Sequence, residues 1–214
     1  MVKRVLIVGA GGHGQVVADC LLQMAAVGEP LRPIGYLDDN AALLGQQLLG
    51  LPVLGRLGDL GSFEHDAVIV AVGSNRVRQT IFMALQAQGE QFVTAIHPQT
   101  VIAPSAIIGI GSQLCAGVII NPGAQIGVNT ILNTGATIDH HNQIGAHVHV
   151  APGVHLGGDV TIGEGTLVGI GSVVMPQRSV GAWSTVGAGS LVTRSLPDRV
   201  VALGAPARIT RRES

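Results

Sequence analysis

Five of the chain's eight histidines, His140, His141, His147, His149 and His155, fall within the stretch NTGATIDHHNQIGAHVHVAPGVH, residues 133–155. An imidazole can hold a metal, move a proton near neutral pH, or decorate a surface. These five fit no familiar zinc pattern, and no carboxylate or thiolate joins them at a convincing interval, so no metal is expected. Cys20 and Cys115 lie far apart in sequence, and neither has a catalytic context. Proton transfer and decoration remain, and the backbone that carries the histidines decides between them.

That backbone has a period. From Ile102, every sixth residue as far as Val192 is Ile, Leu or Val, among them Ile108, Leu114, Ile138, Ile144 and Val168. The residue after each is commonly Gly or another small or polar type, and the fourth after it is mostly Ala, Ser, Thr or Val, as in IGIGSQ and VGAGSL. Neither a helix nor an ordinary strand repeats at six. The period suits a three-sided coil whose short faces each send one aliphatic side chain inward and whose small residues turn tight corners. Three hexads make one turn of 18 residues. With strands about 4.8 Å apart, just over five turns give a prism roughly 25 Å long.

The remaining composition narrows the class. The chain has 214 residues, 47% hydrophobic, 2% aromatic and 12% charged, with a net charge of -1, so its core is aliphatic and neither nucleic acid nor an anionic membrane surface is the expected partner. The one basic cluster, Arg208, Arg211 and Arg212, reads as a solvated tail. The apolar run in MVKRVLIVGAGGHG is too short for a signal peptide and ends in glycines, which makes it a buried first strand. No apolar stretch is long enough to span a bilayer, and two distant cysteines suit a reducing compartment, so the expected location is cytoplasmic.

The first hundred residues follow another grammar. KRVLIVGAGGHGQVVADCLLQ reads as strand, glycine turn and helix, with Gly9, Gly11 and Gly14 spaced as G-x-G-x-x-G. PIGYLDD, DAVIVAVGSN and FVTAIHP add three strand candidates, giving a small α/β domain with a parallel sheet. A glycine turn of this kind places a phosphate at a helix N-terminus, with Asp38 and Asp39 where a ribose or base contact belongs. Alone, the turn suits a dinucleotide and a nucleotide-sugar about equally. About 97 residues supply only one mononucleotide-binding half, which favours the nucleotide-sugar.

The hexads from 102 to 197 resemble the hexapeptide-repeat family, whose fold is a left-handed parallel β-helix. The joint pattern resembles, over essentially the whole chain, the nucleotide-aminosugar N-acetyltransferases, a group whose layout the sialic acid O-acetyltransferases share. The resemblance implies a Rossmann-like nucleotide-sugar-binding domain at residues 1–97. It implies a left-handed β-helix acetyltransferase domain with a C-terminal tail at residues 98–214. It also implies acetyl-CoA as co-substrate, bound in a groove between neighbouring prisms of a homotrimer. Two alternatives stay open, a sugar O-acetyltransferase and a β-helix that only binds.

The resemblance also assigns residues. NTGATIDHHNQIG looks like the segment that supplies the general base, here His140, with the Gly158 amide one coil on as oxyanion donor and Asn133 as an active-site residue. His149, Gly158, Ile170 and Ala188 match positions that bind the cofactor. Gly11, Gly12, His13, Asp38, Asp39 and Gly73, the last followed by Ser74 and Asn75, match contacts to the sugar nucleotide. Some relatives follow the base with Glu or Asp. Here His141 stands there, which leaves the orienting partner of His140 open, with Asp139 a candidate. His147 and His155 are expected at the surface.

Overall fold

Lys3–Val8 (β1) sets four buried aliphatic residues in succession, Val5 to Val8, as a strand covered on both faces requires. The computed structural model describes residues 2–212. Contacts divide the chain into two units after Pro98.

In the first unit, β1 pairs in parallel with Leu31–Leu37 (β2) and Ala67–Val70 (β5). The short Gln47–Leu48 (β3) and Leu51–Gly55 (β4) complete a sheet of order β3-β4-β2-β1-β5. Helix Gly12–Ala26 (α1) follows β1 and buries Val17, Ala18, Leu21 and Met24 against Val5, Ile7 and Tyr36. Helix Asn75–Ala87 (α2) follows β5. The turns after β1, β2 and β5 therefore gather at the carboxyl ends of the parallel strands, where open α/β sheets bind ligands. The FVTAIHP segment does not add a strand to this sheet: Phe92 makes a single parallel bridge to Val68, and Ala95–Ile96, the segment's one strand, lies outside the sheet.

In the second unit the hexad becomes two-residue strands, each pairing in parallel with the strand 18 residues on, as Ile120 does with Ile138. The first face runs from Val101–Ile102 to Leu191–Val192, and the second from Ile107–Ile108 to Ser179–Val180. The third runs from Gln113–Leu114 to Thr185–Val186 and is extended by Val200–Leu203. The inward aliphatic residues from Leu114 to Val192 are all buried, each contributing roughly 1.5–3 kcal/mol as an upper figure. Between them sit small residues, also buried, whose hydroxyls reach carbonyls at the corners. Thr130 Oγ1 donates to the Gly145 carbonyl at 3.0 Å, and Ser172 Oγ to that of Gly187 at 2.9 Å.

Each corner from Gly111 to Gly189 contains a residue at positive φ, the third after the inward aliphatic one. It is Gly at Gly111, Gly117 and Gly135, but Asn129, His141, His147, Asp159, Gln177 and Trp183 also occupy it. A side chain there costs on the order of 1 kcal/mol or more, so these are the corners to inspect for function.

The stack ends differently from the sequence expectation. Arg208–Arg212 is not a tail but a strand antiparallel to Val200–Leu203. It covers the last ladder edge, and its exposed arginines discourage further strand addition. Among the described residues, no helix is long and apolar enough to cross a membrane.

Candidate active site

His140 and His141 lie in the corner between Thr137–Ile138 on the first face and Gln143–Ile144 on the second. Asp139 shapes this corner. Its Oδ1 accepts from the His140 backbone N–H at 2.7 Å and from Asn121 Nδ2, one coil earlier, at 2.8 Å. The Asn121 bond, and then the His140 amide, hold its carboxyl below the usual range. Asp139 thus fixes the chain at His140, and its bonds go to the backbone and to Asn121, not to the His140 ring.

The ring of His140 lies against Gly158 on the next coil, where an added Cβ would collide with Cε1 and Nε2. Gly157 and Asp159 donate their amides to Val174 and His140 carbonyls at 2.9 and 3.0 Å, but the Gly158 N–H meets no acceptor among the described residues. The reason is geometric. The second residue after each inward aliphatic lies off the ladder, so its donor is not needed, and proline fills that position at Pro122, Pro152 and Pro176.

His141 is at φ 57°, with its ring over Gly123, where a Cβ would come within 2.6 Å of Cδ2. Asp159, directly above at the same φ, turns its carboxylate toward both imidazoles. Its oxygens are 4.0 Å from His140 Nδ1 and 3.9 Å from His141 Nδ1, and the two Nδ1 atoms are 3.1 Å apart. The carboxylate that spacing along the chain did not offer therefore arrives from the neighbouring coil. The signal was available, since 141 plus 18 is 159 and 139 minus 18 is 121.

Of the expected cofactor positions, Gly158 lies at this corner and the other three gather elsewhere. Asn133 Nδ2 is 3.2 Å from His149 Nε2, and its Oδ1 accepts from the Thr134 N–H. Asn133, Ile170 and Ala188 belong to the corner between the third and first faces, with His149 beside it on the third. Ile170 and Ala188 stack 18 residues apart, both exposed, and their amides, like that of Gly158, have no acceptor among the described residues. One whole face separates this corner from His140.

The surface expectation fails for His147. It is 4% exposed, and its Nδ1 meets Asn129 Nδ2 at 2.8 Å. Like His141 it occupies a positive-φ corner, but there the side chain is covered and serves packing. His155 is exposed, 2.8 Å from Thr137 Oγ1. Cys115 is buried, which pushes its thiol up to about 11 and removes it as a nucleophile.

In the first unit, Gly9 takes φ 107° and comes so close to Ala71 that a Cβ would lie 2.7 Å from its carbonyl oxygen. Gly14 packs on Gly9 just as tightly, whereas Gly11 and Gly12 face open space at the start of α1, with His13 half-buried beside them. A cavity of about 180 Å³ is lined by Gly9, Asp38, Asp39, Leu57, Val72 and Val77. Asp38 already uses both oxygens, accepting from Ala10 N–H at 2.7 Å and from Asn40 N–H at 2.8 Å. It fastens the glycine turn to the end of β2. Asp39 is exposed and commits Oδ1 to Leu57 N–H, leaving Oδ2 as the stronger ligand contact. Gly73 and Ser74 are exposed on the third turn, whose carbonyls at Val72 and Gly73 accept from buried Arg78 at 3.0 and 3.4 Å. Burial brings that guanidinium down to about 9. Arg78 was not legible as a site residue, because a lone arginine inside a helical pattern reads as surface.

Comparison with known proteins gives the family. Residues 4–85 match the family described as the PglD N-terminal domain, and residues 159–194 match the bacterial transferase hexapeptide (six repeats). These define a hexapeptide-repeat transferase. The acetyltransferase domain of PglB from Neisseria gonorrhoeae is 36% identical, with a TM-score of 0.89 over 97% of this chain and 99% of that one. PerB from Caulobacter crescentus, solved in complex with CoA and GDP-perosamine, is 38% identical, with a TM-score of 0.88 over 99% of both chains. UDP-N-acetylbacillosamine N-acetyltransferase of Bacillus subtilis is 42% identical over 117 residues, 53% of this chain, and the match spans about half (52%) of that curated relative. The chain belongs to the family of nucleotide-aminosugar N-acetyltransferases, and its prism is the left-handed parallel β-helix of that family.

Proposed function

We propose that the chain transfers acetyl from acetyl-CoA to the amino group of a nucleotide-linked 4-amino-4-deoxy sugar. The observation that carries the reading is the His140 ring seated on Gly158, whose amide has no acceptor of its own among the described residues. The sugar nitrogen attacks the thioester carbonyl, a C–N bond forms, and negative charge moves to the carbonyl oxygen. The Gly158 N–H stabilises that charge. His140 takes the proton lost by nitrogen, the C–S bond breaks, and the thiolate leaves. Because the thioester is already activated, no protein nucleophile takes part.

The neighbours of His140 suit it to this work. For Nε2, beside Gly158, to accept a proton, Nδ1 must carry the other one, and His141 Nδ1 at 3.1 Å is its acceptor. Asp159 then faces the imidazolium that forms. His141 and Asp159 together take the place that a single carboxylate after the base holds in some relatives.

A homotrimer belongs to the same reading. The base corner and the corner of Asn133, Ile170 and Ala188 are separated by the first face, which exposes Val101, Ile119 and Val173. A second copy laid on that face would cover these side chains and set its cofactor corner against the first copy's His140. In this reading the unpaired amides of Ile170 and Ala188 receive acceptors of the CoA arm, and His149 and Asn133 lie near the acetyl group. The glycine turn, His13, Asp39 and Gly73 hold the nucleotide. A cytoplasmic location belongs to the same reading, supported by those two substrates and by two buried cysteines that share no disulfide.

The test is to incubate the protein with acetyl-CoA and UDP-, GDP- or dTDP-linked 4-amino sugars, with matched 4-hydroxy sugars alongside. Thiol release and a mass gain of one acetyl group confined to an amino sugar are expected. Acetylation confined to the hydroxy sugars would make it an O-acetyltransferase, and neither product would leave a prism that only binds.

A further inference from the structure

His140, His141 and Asp159 come from two coils yet bring one imidazole nitrogen each and a carboxylate oxygen within 4.8 Å of one another. The separations are 3.1 Å between the two Nδ1 atoms and 4.0 and 3.9 Å from these to Asp159. Ligands about 2.0–2.2 Å from a tetrahedral zinc are about 3.3–3.5 Å apart, so small side-chain rotations meet the requirement. The backbone already aims two of the three. His141 and Asp159 both sit at φ 57°, a conformation that L side chains avoid, and glycines at Gly123 and Gly158 seat the two rings. Asp139 is tied to Asn121 and to the His140 amide, which leaves the fourth position to solvent. Two imidazoles and one carboxylate suit zinc, cobalt, nickel or copper, and not magnesium or calcium.

We propose that these three residues form a site for a divalent transition metal ion that reversibly inhibits the enzyme. The ion is an inhibitor and not a cofactor, since acetyl transfer from a thioester needs no metal. The inhibition follows from the tautomer. A metal on His140 Nδ1 takes the lone pair there and requires the proton on Nε2, the nitrogen that must be bare to act as a base. Ion and proton abstraction therefore exclude each other at one ring. The binding claim stands on the geometry alone, and the inhibition rests on the function proposed above.

Chelator-treated protein titrated with cobalt(II) should develop the visible absorption bands of a tetrahedral site and saturate at one ion per chain. Zinc should displace the cobalt. His141→Ala and Asp159→Asn should each weaken zinc binding at least tenfold by calorimetry, while His155→Ala, an exposed histidine outside the cluster, should not. Acetyl transfer should fall over the same zinc range and return with a chelator. No ion bound below millimolar concentration, or affinity unchanged in both His141→Ala and Asp159→Asn, overturns the site. Binding without loss of an activity demonstrated in metal-free protein overturns the inhibition. Since cobalt and zinc binding are read without substrate, a chain inactive on every amino sugar still tests the site.

Discussion

His141 and His147 stand six residues apart, each third after an inward aliphatic residue and each at positive φ, 57° and 59°. Each also faces a polar partner 18 residues away, Asp159 for one and Asn129 for the other. One pair is exposed and the other buried, and that difference decides which ring a ligand can reach. A buried imidazole bonded to an amide stabilises a corner that the backbone alone would disfavour. An exposed imidazole pair beside a carboxylate and a bare N–H can meet a ligand. Residue type, backbone conformation and repeat position are shared, so a histidine on such a prism is assigned by its cover.

The sharpest way to break that contrast is to remove a ring from each corner. His140→Ala should lower kcat by about 10² to 10⁴, the usual worth of a general base, with acetyl-CoA affinity nearly unchanged. Steady-state kinetics and calorimetry report the two quantities, and full activity at neutral pH would demote the exposed corner to decoration. Next in size, Gly158→Ala should lower kcat by roughly 10²-fold, because its Cβ must push the His140 ring aside. Circular dichroism should show the fold intact, and unchanged kcat would detach ring position from catalysis.

The buried corner should answer in stability instead. His147→Ala leaves Asn129 without its ring partner and should cost about 1–3 kcal/mol in denaturant titration, with kcat per folded molecule close to wild type. A loss of kcat larger than the loss of folded protein would erase the distinction between the corners. At the bottom of the scale, His155→Ala should change stability by less than about 0.5 kcal/mol and leave kcat alone.

Much of the fold can be read from Ile102 to Val192, because one inward residue per short face is a steric requirement that admits few exceptions. The corner placement of His140 and the stacking of Gly158 on it follow from the same arithmetic. The cover of His147 does not. Positions 141 and 147 are equivalent in the repeat, and only the three-dimensional surroundings bury one ring and expose the other. Asp38 was equally opaque. An aspartate at a strand end reads as a ligand contact, and only the folded turn shows both its oxygens accepting from Ala10 and Asn40. Asp159 was legible in principle, one coil beyond His141, but a search for ligands along the chain looks at near neighbours and passes over an interval of 18.

That interval also governs how the protein comes together. Every ladder contact between the coils from Val101 to Val192 closes a loop of the same short length, so no pairing there waits on a distant part of the chain. Coils can dock one after another from any starting point, like the teeth of a zipper. Asn121, Gly123, Asp139, His140, His141, Gly158 and Asp159 all fall within residues 121–159, a few consecutive coils. The corner can therefore take its shape as soon as that stretch has closed, and a nascent chain can hold it before Arg208–Arg212 has been made.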